Sequence, residues 1–71
     1  MNVYAIQATG IYGGGMAIVA AHSAEEATQI ASDIHDPNWH VRYHQPNKVE
    51  LLPLTFEGDT PCIITHYETG E

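Results

Sequence analysis

The sequence predicts an α+β domain: a mostly antiparallel sheet with one helix packed on one face, in the order β-β-α-β-β-β. Three observations lead there. A complete helix-start signal stands at Ser23. Short apolar or alternating runs of strand length lie on both sides of it. Glycine and proline punctuate the chain between those runs, at hairpin-like spacings.

The elements follow in order. "NVYAIQA" (2–8) alternates loosely around Val3, Tyr4 and Ile6 and reads as a strand. "MAIVAA" (16–21), preceded by Gly13–Gly15, reads as its hairpin partner, with the glycines expected to form the turn or a bulge. "SAEEATQIASDIH" (23–35) reads as the helix. Ser23 and Glu26 form a capping box, the serine side chain taking a free backbone N–H and the glutamate reaching back to the serine N–H. Glu25 and Glu26 favour the positive end of the helix dipole. Ala24, Ala27, Ile30, Ala31 and Ile34 share a narrow, alanine-rich face suited to close packing on a sheet. "HDPN" (35–38) is expected to end the helix, because the residue before Pro37 is pushed out of helical geometry.

"WHVRYH" (39–44) alternates, with Trp39, Val41 and Tyr43 on one face and His40, Arg42 and His44 on the other. A turn over 45–48 leads to the strand "VELLPL" (49–54), where Pro53 belongs at an edge, bulge or strand end. "EGDTP" (57–61) turns the chain into a last strand, "CIITHY" (62–67), and a frayed tail is expected from about residue 68.

The 71 residues read as one domain, 1–71. A chain this short buries only about 60% of the surface its unfolded form exposes, so cover from a partner or a second copy adds stability. Nine acidic residues against Arg42 and Lys48 give a formal charge of −7. That balance repels nucleic acid and anionic membranes, and its natural complement is a basic protein surface; it also keeps a small protein in solution. Cys62 is the one cysteine, so no internal disulfide forms and the chain reads as cytoplasmic. "MNVYAIQ" lacks the pattern of a signal peptide, and no run reaches the roughly 18 apolar residues of a membrane span.

The features that could carry chemistry each have a plainer reading. A phosphate loop needs a lysine and a helix start behind its glycines, whereas Met16 and a strand follow Gly15. Two readings of "GIYGGGM" (10–16) stay open: a turn alone, or a contact loop in which Ile11 and Tyr12 anchor a partner and Gly13 and Gly14 admit close approach. His35, His40 and His44 cluster in sequence with Asp33 and Asp36. On a strand, however, His40 and His44 stand about 13 Å apart, too far to share one ion. A metal would need His40 or His44 beside His66 from another strand. Protonating all five histidines would take the formal charge from −7 to −2, so binding of a basic partner is expected to weaken on acidification. Cys62 and His66 are too far apart along one strand for a local dyad. The expectation is no enzyme, no cofactor and no metal.

The run "TGIYGGGMAIVAAHSAEEATQIA" (9–31) resembles a pattern of small phage- and prophage-encoded proteins: strand, glycine-rich turn, short strand, then an A-x-S-x-E-E-A helix start. Among these, the anti-CRISPR inhibitors are similar in size and acidity. The resemblance implies a stoichiometric inhibitor in the cytoplasm of a host cell that occludes a basic surface of a host protein, such as a CRISPR–Cas component. The contact residues expected on that reading are Ile11, Tyr12, Gly13, Gly14, Asp33, Asp36, Glu57 and Asp59. A second reading is a homo-oligomeric accessory protein, possible as a homodimer, whose sheet edge or apolar face pairs with its own copy. A third is a histidine-based metal-binding module.

Overall fold

A computed structural model describes the backbone of residues 1–10, 13–34 and 42–70, and the side chains of these up to residue 67. Four strands and one helix follow one another as β1 (Asn2–Thr9), β2 (Gly13–Ala21), α1 (Ala24–Ala31), β3 (Lys48–Thr55) and β4 (Cys62–Gly70). They form one antiparallel sheet of order β3-β1-β2-β4, so the first hairpin lies at the centre and β3 and β4 are its edges. The architecture is the α+β sheet-and-helix domain that the sequence predicts.

The helix begins as its sequence requires, with one change of partner. Ser23 has extended backbone angles and its Oγ accepts from the Glu26 N–H at 3.1 Å. The Glu26 carboxylate reaches one residue further back than a capping box does, accepting from the N–H of His22 at 2.8 Å. Ala27 and Ala31 are wholly buried, with Ile30 and Ile34 packed against the core and Ala24 left exposed. Opposite them the sheet offers Tyr4, Ile6 and Ala8 from β1 and Ala17, Val19 and Ala21 from β2. Small residues on both sides let the layers approach closely, and filling such a layer is a main source of stability.

The helix ends at Ala31, with Ser32 as its cap, short of residues 35–38, where the sequence predicts its end. Two expectations for the strands also change. Gly13–Gly15 do not make the turn; they are the first three residues of β2. The hairpin is closed instead by the Gly10 N–H donating to Gly13 O, with Ile11 and Tyr12, outside the described residues, between them. Gly14 pairs with Thr9 where the strands run so close that a Cβ on it would lie 2.9 Å from the Ala8 carbonyl oxygen. Close approach between strands, and not the geometry of a turn, is what requires glycine there.

The strand expected over 39–44 is the other change. Residues 39–41 lie outside the described residues, and Arg42–His44 enter a turn. Their backbone bonds explain this: Arg42 N–H donates to Thr9 O, Gln45 N–H to Arg42 O, and Asn47 N–H to Gln7 O. The segment is thus tied to the end of β1 without forming a ladder. Tyr43 is buried and joins the core, while Arg42 and His44 are exposed. Burial alternates as the sequence suggests, but on a turn.

Candidate sheet-face site

In an antiparallel pair, residues in register point to the same side of the sheet, so pairing sorts side chains into rows. The rows Leu51–Tyr4–Val19–Ile63 and Val49–Ile6–Ala17–His66 lie on the helix side. The alternate rows lie on the opposite side: Lys48–Gln7–Met16–Tyr67, then Glu50–Ala5–Ile18–Thr65, then Val3–Ala20–Cys62 with Leu52 next to them on β3. Val3, Ala5 and Ala20 are buried, yet none belongs to the cluster around the helix. They are the floor of a second apolar face. Among the described residues, no element covers it.

Met16, Ile18, Leu52 and Cys62 are half-buried on this face, and Tyr67 is 55% exposed. Two adjoining grooves of about 350 and 270 Å³ run over it, sharing Gln7 and Met16. The first is floored by Ala5 and Ile18 and flanked by Lys48, Glu50 and Leu52; the second extends toward Thr9, Asn47 and Tyr67. The Lys48 ammonium lies 3.1 Å from the Glu50 carboxylate, so the two charged side chains described on this face cancel.

The acids are elsewhere. Glu25 and Glu26 open the helix, directly after the end of β2. Glu57 and Asp59 lie exposed in the β3–β4 connection at that same end of the sheet, where Phe56 and Met1 exchange backbone bonds of 2.9 and 3.1 Å. Asp33 follows the last turn of the helix, about 15 Å along its axis from Ser23. Gly13 and Gly14 lie in β2 at the far end of the sheet, and Ile11, Tyr12 and Asp36 are outside the described residues.

Cys62 and His66 lie on opposite faces of β4 and so do not pair. A register shift between Ile18 and Val19 inserts an extra residue in β4, so Cys62 opposes Ala20 on the open face while His66 opposes Ala17 on the helix side. Among the described residues, no group of three histidine, cysteine or acidic side chains is placed to hold a metal ion. His35 and His40 are outside the described residues. No helix among the described residues is long and apolar enough to cross a membrane. The Glu26 carboxyl is held below the usual carboxylate range, first by the backbone N–H of His22 and further by the His22 ring at 3.0 Å.

Sequence reasoning missed the open face, although its signal is present. "VYAI" and "MAIVAA" carry apolar residues at both parities, as strands buried on both sides do. One eight-residue helix covers only one side. Comparison with protein-family models, curated proteins and solved structures finds no match to this chain.

Proposed function

We propose that this chain is a protein-binding module that works by contact, through the uncovered face of its sheet. The observation that supports this is the set of rows led by Met16, Ile18 and Tyr67, apolar and accessible on a strand pair whose composition calls for cover on both sides. Charge selects the class of partner. The exposed acids Glu25, Glu57 and Asp59 share one end of the sheet, and with a chain charge of −7 they steer encounter toward a basic protein surface. In this form the protein is the small acidic inhibitor that the resemblance of residues 9–31 implies, occluding a basic surface of a host protein such as a CRISPR–Cas component.

The test is affinity capture from a bacterial lysate with three baits: the native chain, Ile18→Lys, and Glu57→Lys with Asp59→Lys. The expected result is one protein held in stoichiometric amount by the native chain, released by salt, and lost from the acid-reversed bait. Capture that ignores salt and both sets of substitutions would remove the basis for this reading.

A further inference from the structure

We propose that the open sheet face is covered by a second copy of this chain, related by a two-fold axis that runs along the strands between β1 and β2. The proposal rests on the reading of that face as a binding surface and names its occupant: a second copy fills the face, and a basic partner is met by the acids outside it. The chain carries −7, so most of its surface repels its own copy. The open face does not, because its two described charges are Lys48 and Glu50, paired at 3.1 Å. A neutral, apolar patch on an acidic protein is suited to a partner with the same charge, which is to say to itself.

Symmetry and register then choose the axis. An axis along the strands lays β3 of one copy over β4 of the other and β1 over β2. Lys48 then stands over the ring of Tyr67 in the facing copy, a cation–π geometry, and Glu50 over Thr65. At the centre, the half-buried Ile18 enters the hollow above Ala5 of the facing copy, and the reverse. On the face itself, Lys48 and Glu50 each stay about 14 Å from their own copies, across three strand spacings. An axis across the strands would instead lay β2 on β2 and set Ile18 over Ile18 or Met16 of the facing copy, large against large. Only the first arrangement sets Ile18 over Ala5 and so matches large to small.

The area agrees with a stable but modest association. Four strands of eight or nine residues present a flat footprint on the order of 500 Å². Side chains standing up from it raise the accessible area toward the about 800 Å² per partner of a standard interface. Sheets stacked this way pack about 10 Å apart, with strands within about 30° of alignment. The pair brings Glu25, Glu57 and Asp59 of both copies to one end, outside the covered face, as a single acidic end for a basic partner.

Sedimentation equilibrium of the purified chain from about 5 to 500 µM tests this, with circular dichroism of every variant. The expected result is a dimer of twice the 7.8 kDa chain mass at the upper concentrations. Tyr67→Lys and Ile18→Lys should each weaken it by at least about tenfold. The double exchange Lys48→Tyr with Tyr67→Lys should recover it, because the cross-copy pair is restored. Tyr67 and Lys48 are exposed, so their substitution leaves folding intact and the test does not depend on Ile18. A dimer that survives both single variants overturns the proposal, since another surface must hold it. A native chain that stays monomeric throughout also overturns it; if Ile18→Lys then abolishes capture of a lysate protein, the face still binds, but to a different occupant. If Ile18→Lys alters neither self-association nor capture, the reading of the face itself fails.

Discussion

A Cβ placed on Gly14 would lie 2.9 Å from the carbonyl oxygen of Ala8 on the neighbouring strand. Its backbone is not left-handed, so Gly14→Ala should ordinarily gain stability by restricting the unfolded chain. Here the obstacle is backbone in the central strand pair and has nowhere to move. Gly14→Ala should therefore destabilise by about 1–3 kcal/mol, the range for overpacking. Urea unfolding measures it, and a neutral or stabilising result would show that β1 and β2 are not so close.

The burial of Tyr43 carries the next expectation. It is 1% exposed and among the largest wholly buried side chains, held by a turn whose backbone bonds reach Thr9 and the end of β1. Tyr43→Ala should cost about 3–5 kcal/mol. That is about half of the roughly 4–10 kcal/mol that a domain of this length has, so the variant should melt well below the native chain. A native-like melting temperature would mean that the turn contributes little to the core.

These two residues show what was legible in the chain and what was not. Local chemistry was: the Ser23 cap, the alanine face of α1, the strand runs, and Pro53 on an edge strand all follow from short-range rules. The alternation around Tyr43 correctly marks it as inward-facing, but alternation of burial does not specify a ladder, and the backbone of Arg42–Asn47 found partners in β1 and its own turn. Gly13–Gly15 look like a turn because a sequence does not reveal how near another strand will pass. The open face depends on register, since only the pairing of Gln7 with Met16 and Lys48, and of Met16 with Tyr67, shows that these distant residues share a row.

The helix start makes stability depend on pH. Glu26 has its folded pKa depressed, chiefly by the His22 N–H. Its contribution is therefore complete above the unfolded-chain value of about 4.3 and is lost as pH falls through the lower folded value. Glu26→Gln should be less stable than the native chain at pH 6, with the difference closing toward pH 3. Ser23→Ala, which removes the other half of the cap, should cost about 1 kcal/mol at either pH. Thermal melts of the three proteins at both pH values decide the matter; a Glu26→Gln difference that persists unchanged at pH 3 would rule out the carboxylate as its cause.

Two alanines of the same helix separate packing from propensity. Ala24 is exposed and Ala27 is wholly buried, in the core cluster that joins α1 to the sheet. Leucine and alanine are both good helix formers, so replacing either alanine changes intrinsic helicity little. Ala24→Leu should stay within about 0.5 kcal/mol of the native chain. Ala27→Leu adds three carbons to a filled layer and should cost about 1–3 kcal/mol. Equal costs at the two positions in urea unfolding would mean that α1 does not rest on the sheet through Ala27; a larger loss at Ala27 alone ties the stability of the helix to the closeness of the two layers.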